Sequence, residues 1–331
     1  LWTMRSIYLP LFLILHTKIP RADVYHCVAT GYAGVLGGMA KYLYNCGLLV
    51  SEHGIYTRER EEEILKASWV SGIYKDIWIE QFKKMSRLAY DRADAVTALY
   101  GHARKLQTEL GCDISITHVT PNGIDVDSFA DIPGKQPDDE GFINIGAVLR
   151  VTPIKDVKTM IRAFAFAAER VPNLKLWIMG PRDEDKEYAE ECYELVEVLG
   201  LKNVIFTGRI QVKEYLGRMD FTILTSISEG QPLTILESYA AHKPVIATDV
   251  GNCRELIYGE EGDTFGTAGI LTHIMNTEEL AEAMRKLALS AELRQEMGEI
   301  GFKRVNTYYR IEQMREKFDS LYKEVYPGME E

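Results

Sequence analysis

Short apolar runs alternate with helix-patterned stretches along most of the chain. Such runs, bounded by polar or turn residues, are typical of buried strands. Alternation with helices predicts βαβ units, in which parallel sheets carry helices on both faces. Nine runs are predicted as strands: Asp23–Ala29, Leu48–Glu52, Ala95–Leu99, Ile116–Thr120, Ile143–Leu149, Leu174–Gly180, Val204–Thr207, Phe221–Thr225 and Pro244–Thr248.

The helix-patterned stretches repeat apolar residues at spacings of three and four. Ser6–Ile19 is too short to span a bilayer and is interrupted by Pro10, so it is predicted to be a core helix. The amphipathic segment 311–331 is expected to return to the N-terminal domain. The other predicted helices include Val157–Arg170, Asp185–Leu199, Leu233–Ala241 and Thr277–Ala288.

A domain boundary is predicted near residue 122. Pro121-Asn122-Gly123 has turn chemistry, and the polar segment Ala130–Gly141 precedes a new series of strands. We therefore expect Rossmann-like domains over residues 1–121 and 122–310. With four predicted strands, the first domain is expected to be incomplete. Ligands of such folds bind at the carboxyl ends of the strands, so a site in the cleft between the domains is expected.

Composition narrows the functional classes. The net charge of −11 argues against a nucleic-acid-binding protein, which would need a basic face. The five cysteines are scattered and form no C-x-x-C pair, which favours a reducing, cytoplasmic setting over a disulfide framework or a zinc site. A dinucleotide oxidoreductase is disfavoured because no G-x-G-x-x-G follows a strand.

Two cations follow the first strand of the second series. Arg150 and Lys155 lie in the loop and helix start after Ile143–Leu149, where both can reach one anion. Arg offers a planar fork for phosphate oxygens, and Lys offers a compact charge. Two solvated cations beside a turn are an equally simple interpretation of the pair alone.

Two carboxylates, Glu229 and Glu237, lie eight residues apart after the strand Phe221–Thr225. Gly230 permits a tight turn, and Pro232 suits the first position of a helix. The N–H groups of Leu233 and Thr234 would then form an anion site, while the carboxylates could bond vicinal hydroxyls of a ribose or hexose. The alternative is an N-terminal charge favoured by the helix dipole and a solvated helical glutamate.

In order and context, these residues resemble the family 4 glycosyltransferases, which have the two-domain GT-B fold. The string Ser51-Glu52-His53-Gly54-Ile55-Tyr56-Thr57-Arg58-Glu59-Arg60-Glu61 is similar to the PelF glycosyltransferases of Pel exopolysaccharide synthesis, as are Gly180–Asp185 and Thr225–Pro232. The resemblance covers nearly the whole chain. The family's Gly-rich loop on the opening strands has no counterpart before Asp23.

The resemblance implies a role for each candidate residue. Arg150 and Lys155 hold the nucleotide diphosphate, and Glu237 bonds the ribose hydroxyls. Glu229 holds the donor sugar, and His53 contacts that sugar from the first domain. The backbone of Thr207-Gly208-Arg209-Ile210 faces the base. Further donor contacts come from the backbone of Gly230, Gln231, Pro232, Leu233 and Thr234.

The implied reaction is retaining transfer of a hexose from a nucleotide diphosphate sugar, expected to be a UDP-sugar, to a growing exopolysaccharide. Neither a metal nor a further cofactor is expected, because two cations and a helix N-terminus neutralise the diphosphate. The implied location is cytoplasmic, at the inner face of the membrane through partners in a polysaccharide synthesis complex. The alternatives are a lipid or protein acceptor, or a non-catalytic scaffold that binds nucleotide-sugars.

Overall fold

A computed structural model describes residues 2–326. They form two compact units, the first from the described parts of Leu1–Asn122 and Met314–Glu331, the second from Gly123–Gln313. Residues 327–331 of the predicted C-terminal segment lie outside the described residues. No helix within residues 2–326 is long and apolar enough to cross a membrane.

The first unit contains a parallel sheet in the order β1-β2-β3-β4. Every residue of β2 and β3 is buried, as expected for central strands covered on both faces. The strands are β1 Val24–Cys27, β2 Gly47–Glu52, β3 Ala95–Ala98 and β4 Thr117–Val119; the helices are α1 Trp2–Leu15, α2 Gly31–Tyr44, α3 Tyr56–Lys66, α4 Ile73–Arg92 and α5 Gly101–Glu109.

The C-terminal helix α13, Ile311–Val325, packs on this same sheet. Leu321 and Val325 are buried beside Leu49 of β2. The hydroxyl of Tyr322 lies 2.7 Å from Nδ1 of His26 in β1. The apolar stripe of α13 therefore covers the sheet of the first unit.

The second unit contains a six-stranded parallel sheet in the order β10-β9-β8-β5-β6-β7. Its strands are β5 Ile143–Val148, β6 Leu174–Met179, β7 Val204–Gly208, β8 Phe221–Leu224, β9 Val245–Thr248 and β10 Gly269–Thr272. Its helices are α6 Val157–Ala168, α7 Lys186–Val198, α8 Val212–Leu216, α9 Leu233–Ala240, α10 Cys253–Tyr258, α11 Thr277–Leu289 and α12 Ala291–Tyr308.

Helices cover both faces of this second sheet. Met160 and Phe164 of α6 contribute to one buried cluster, at the four-residue spacing that places side chains on one helix face. Leu236 and Tyr239 of α9 belong to a second cluster with Val305 of α12. The predicted α/β fold, two parallel sheets flanked by helices, is confirmed.

The structure departs from the sequence predictions at one strand and one helix. Strand β10 was missed, because its four residues follow a polar, glycine-rich segment and show neither a long apolar run nor an alternating pattern. Ser6–Ile19 was predicted as a core helix, but helix α1 covers Trp2–Leu15, and of its residues only Ile7 is fully buried. Phe12 and Leu13 are 56% and 63% exposed. The helix has apolar side chains on nearly every face, so its sequence could not show which face packs inward.

Candidate functional site

The two candidate loops of the second unit lie side by side. Strands β5 and β8 pair in parallel, with Ile145 opposite Phe221, so both loops leave the same edge of the sheet. The loops are also joined directly. The hydroxyl of Thr225 donates to the carbonyl of Lys155 at 2.7 Å, and the N–H of Ile227 donates to the carbonyl of Ile154 at 2.9 Å. These hydrogen bonds hold residues that are far apart in sequence in one cluster, the candidate site.

Lys155 and Glu229 form an ion pair at the centre of this cluster. Lys155 ends a short 3-10 turn, Pro153–Lys155, and Glu229 lies in the loop after β8. Their side chains are only 16% and 13% exposed. The structure thus brings Lys155, predicted to hold the diphosphate, against Glu229, predicted to hold the donor sugar, and the two charges neutralise each other.

Arg150 is placed differently. Its guanidinium is half-exposed and bonds both carboxylate oxygens of Glu184, at 2.6 and 2.8 Å. The backbone beside it is fixed by Gly180, whose φ is +151° and where a Cβ would lie 1.8 Å from the carbonyl of Leu149. The N–H of Val151 completes the junction by donating to the carbonyl of Pro181 at 2.9 Å. An anion at Arg150 would therefore exchange with an exposed carboxylate.

The loop carrying Glu229 packs against a segment after β9 that was not predicted to belong to the site. Gly251 has a φ of +53°, and a Cβ there would lie 2.2 Å from the carbonyl of Glu229 and 2.4 Å from that of Gly230. The N–H of Asn252 donates to the carbonyl of Gly230 at 2.8 Å. A glycine just after β9, at the same sheet edge, was the available signal.

Helix α9 begins where predicted, with Pro232 at its N-cap and Leu233 and Thr234 in its first turn. The first N–H groups of a helix have no intrahelical acceptor and carry the positive end of its dipole. Gln231, just before the cap, is buried. Glu237, one turn inside, is half-buried; burial raises the pKa of its carboxyl, and Lys213 partly opposes this rise.

The predicted base-facing loop follows β7, two strands from β5. Gly208 has a φ of +70°, and its carbonyl accepts the N–H of Gly180 at 2.9 Å. Arg209 is exposed, whereas Ile210 packs against a cluster that includes Trp177. The loop after β7 is thus bonded to the loop after β6, which lies beside Arg150.

His53 belongs to the first unit, where it is exposed directly after β2. The adjacent Glu52 is 3% exposed and accepts hydrogen bonds from Thr30 Oγ1 at 2.9 Å, Tyr90 Oη at 2.6 Å, Gln107 Nε2 at 3.0 Å and the N–H of Tyr56 at 3.4 Å. Burial raises the pKa of Glu52, and these donors oppose the rise. The loop bearing His53 is therefore anchored to four helical segments.

Two acidic D-x-D strings, Asp125-Val126-Asp127 and Asp183-Glu184-Asp185, serve local structure. Asp185 caps α7 by accepting the N–H of Tyr188 at 3.0 Å. Asp127 pairs with Arg310. Within residues 2–326, no group of three or more His, Cys, Asp and Glu side chains is arranged to hold a metal ion.

Chemically, this edge of the second sheet combines two cations, a helix N-terminus and two carboxylates. The cations and the N–H groups suit a diphosphate, and the carboxylates suit sugar hydroxyls. Both cations are paired with carboxylates. A diphosphate that binds these cations must therefore displace a carboxylate or share its cation with it.

Two family models match the chain. Residues 1–115 match a domain of unknown function, DUF3492. Residues 128–304, more than half of the 331, match the glycosyl transferases group 1. The second match contains both candidate loops and α9.

Individual proteins are similar over longer stretches. An alpha-maltose-1-phosphate synthase of Mycolicibacterium smegmatis is 26% identical over an alignment 321 residues long, which covers 89% of this chain and 78% of the synthase. An uncharacterized glycosyltransferase of Methanocaldococcus jannaschii is 27% identical over an alignment 231 residues long, which covers 64% of this chain and 54% of the relative. The chain thus spans about half the length of the second protein.

A solved structure has the same fold. Anabaena HepE, crystallised with UDP and glucose, superimposes with a TM-score of 0.73 over 97% of this chain and 80% of its own. The sequence identity is 18%, so the likeness concerns the fold alone.

Proposed function

The chain belongs to the glycosyl transferases group 1 family, and from this membership we propose that it transfers a hexose from a UDP-sugar to a glycan acceptor. The observation that carries the proposal is the Lys155–Glu229 pair, held where β5 and β8 end. HepE, which shares the fold, was crystallised with UDP, and this supports the choice of nucleotide.

In this proposal the diphosphate lies among Arg150, Lys155 and the first turn of α9. Lys155 exchanges its hydrogen bond to Glu229 for one to a phosphate oxygen. Arg150 likewise exchanges its hydrogen bonds to Glu184 for bonds to the diphosphate. The released Glu229 carboxylate then accepts hydroxyls of the donor sugar. The Glu237 carboxyl accepts the ribose hydroxyls, and its buried position gives these hydrogen bonds a low-dielectric setting. The predicted contacts of His53 and of Gly208–Ile210 belong to the same proposal.

The reaction breaks the bond between the anomeric carbon and the diphosphate oxygen and forms one to the acceptor oxygen. Negative charge grows on the leaving diphosphate, where Arg150, Lys155 and the N–H groups of Leu233 and Thr234 would stabilise it. Preorganised donors of this kind contribute the largest class of catalytic effect. The acceptor proton passes to the leaving phosphate. No side chain is assigned as a nucleophile, and retention of configuration rests on the family resemblance.

For the acceptor we propose a growing exopolysaccharide. The support is the string from Ser51 to Glu61, whose first two residues are buried and whose His53 is exposed. The cytoplasmic location, a polysaccharide synthesis complex at the membrane and the absence of a metal requirement remain predictions of the same resemblance. A lipid or protein acceptor is the alternative within enzymes, and a non-catalytic scaffold is the alternative outside them.

The binding half of the proposal is tested by isothermal titration with UDP. We expect Arg150→Ala and Lys155→Ala each to weaken UDP binding about tenfold or more, since hydrogen bonds to charged groups contribute about 1.5–3 kcal/mol. Arg170→Ala, an exposed cation elsewhere in the second unit, is the matched control. Unchanged UDP affinity in both site variants would refute the diphosphate assignment.

The ribose assignment is tested with UDP and 2′-deoxy-UDP. If Glu237 bonds the ribose hydroxyls, Glu237→Ala should weaken the binding of UDP more than the binding of 2′-deoxy-UDP. The two ligands should then bind the variant with the same affinity. Equal fold losses for both ligands would show that Glu237 acts elsewhere.

A further inference from the structure

The loop after β5 contains a backbone conformation that is unusual for a residue with a side chain. Asp156, which follows Lys155, has a φ of +46° and a ψ of +49°, in the left-handed region that favours glycine. Within residues 2–326, the other non-glycine residues with a positive φ are Asn45, His242 and Met275. Of these four, only Asp156 adjoins a candidate ligand of the diphosphate. Strained backbone of this kind persists where the surrounding structure holds it, often beside functional sites.

The chain must turn sharply at Asp156 because the segments on both sides of it are fixed. On one side, the N–H of Lys155 closes the short turn Pro153–Lys155 by donating to the carbonyl of Thr152 at 3.0 Å. On the other side, α6 begins at Val157, whose side chain is buried in the core. The left-handed residue joins the turn to the helix, so it sets the direction in which Lys155 leaves the backbone.

Aspartate suits this position for two reasons. Asp and Asn tolerate the left-handed region better than other residues with a Cβ, because their short polar side chains can bond the nearby backbone. Oδ1 of Asp156 does so by accepting the N–H of Thr159 at 3.4 Å, which caps α6. Asp156 is only 8% exposed, so neighbouring atoms limit any rearrangement of the turn.

A second residue fixes the same turn from the neighbouring strand. The hydroxyl of Thr225, directly after β8, donates to the carbonyl of Lys155 at 2.7 Å and lies 3.3 Å from the carbonyl of Asp156. Thr225 is buried, and a buried carbonyl that loses its donor bears the full cost of its desolvation. The peptide between Lys155 and Asp156 therefore cannot rotate without breaking a buried hydrogen bond.

We propose that Asp156 and Thr225 are positioning residues for Lys155. Together they fix the peptide that follows Lys155, so that its ammonium lies against Glu229 in the free protein and against a phosphate oxygen when a nucleotide diphosphate binds. Neither side chain contacts the nucleotide; both act through Lys155. The inference rests on the proposed function for its nucleotide, but the pairing of Lys155 with Glu229 tests it without any ligand.

The first test is titration with UDP of variants that change the backbone preference at residue 156. Asp156→Ala should weaken UDP binding about fivefold or more, because alanine disfavours the left-handed region and the binding-competent fraction falls. Asp156→Asn and Asp156→Gly both accept a positive φ and should bind UDP within about twofold of the wild type. Asn45→Ala makes the same kind of change at a left-handed residue of the first unit. This matched control should lose stability without losing UDP affinity.

Thr225 offers an independent pair of variants. Thr225→Val removes the hydroxyl while keeping a similar size, and it should weaken UDP binding about fivefold. Thr225→Ser keeps the hydroxyl and should retain most of the affinity. This pair decides the question if Asp156→Ala does not fold.

Double-mutant cycles separate positioning from a general structural effect. In the Lys155→Ala background, neither Asp156→Ala nor Thr225→Val should weaken UDP binding further, because the side chain that they position is gone. In the ligand-free protein, Asp156→Ala should abolish most of the coupling between Lys155 and Glu229 that urea unfolding measures. Asp156→Asn should preserve that coupling.

If Lys155→Ala weakens UDP binding, three outcomes would overturn the proposal. One is equal UDP affinity for Asp156→Ala and Asp156→Gly. Another is the same loss from Asp156→Ala with and without Lys155. The third is a coupling of Lys155 with Glu229 that is unchanged in Asp156→Ala or absent from the wild type. If Lys155→Ala leaves UDP affinity unchanged, the proposed function has failed instead, and that coupling alone decides whether Asp156 positions Lys155.

Discussion

Replacing Lys155 with alanine should affect stability and ligand binding in ways that can be separated. In the ligand-free protein the substitution leaves the Glu229 carboxylate largely buried without its cation. Removing one partner of a fully buried ion pair costs about 3–5 kcal/mol, whereas an exposed pair contributes about 0–1 kcal/mol. Because 13–16% of these side chains still meets solvent, we expect a loss of roughly 2–3 kcal/mol.

A double-mutant cycle isolates the pair. Glu229→Ala alone should also destabilise the protein, and the double variant should lose less than the two single losses combined, with a coupling of about 1–3 kcal/mol. Urea unfolding followed by tryptophan fluorescence measures all four proteins. Additive losses would mean that the two charges do not interact in solution, and the site as described would be wrong.

UDP binding should separate the two residues. Lys155→Ala is expected to lose UDP affinity, because the diphosphate loses a cation. Glu229→Ala is expected to bind UDP at least as tightly as the wild type, because Lys155 is then free for the phosphate. Equal losses in both variants would show that Glu229 does not compete with the diphosphate.

Three further predictions concern the surroundings of the site. Glu52→Ala should cost about 3–5 kcal/mol in urea unfolding, because four donors lose their buried acceptor; a loss below about 1 kcal/mol would contradict this network. Burial raises the pKa of the Glu237 carboxyl, so its contribution to stability is full below the unfolded pKa of about 4.3 and is lost as the pH rises through the folded pKa. Glu237→Gln should therefore stabilise the ligand-free protein at pH 7 but not at pH 4. A gain in stability that does not depend on pH would show that burial of this carboxylate is not its cause. Gly251→Ala should weaken binding of a UDP-hexose, because the added Cβ displaces the Glu229 backbone. Gly262→Ala, also at positive φ but with open space around it, should not weaken binding. Equal titration curves for the two variants would show that Gly251 does not support the binding site.

The sequence was sufficient to predict nine of the ten strands in residues 2–326, together with their alternation with helices. Apolar runs such as Phe221–Thr225 have the length and continuity of buried parallel strands, and the turn and cap residues Gly230 and Pro232 marked the start of α9. Both signals are local, and local signals can be read without coordinates. Strand β10 lacked such a signal, and so did the inward face of α1.

Contacts between distant segments could not be read in the same way. That Lys155 faces Glu229, and that Gly251 supports the Glu229 loop, depends on which strands are neighbours. The order β10-β9-β8-β5-β6-β7 is not the order of the chain. The proposed exchange of a carboxylate for the diphosphate depends on that arrangement.

We propose that the second unit binds a UDP-hexose and releases UDP as the sugar is transferred. The most direct test is UDP release from a panel of UDP-hexoses by the wild type and by Lys155→Ala, with a glycan acceptor present. We expect that at least one donor is turned over and that the variant is slower by about 10²–10³. No UDP release from any UDP-hexose, or equal rates in the two proteins, would contradict this proposal.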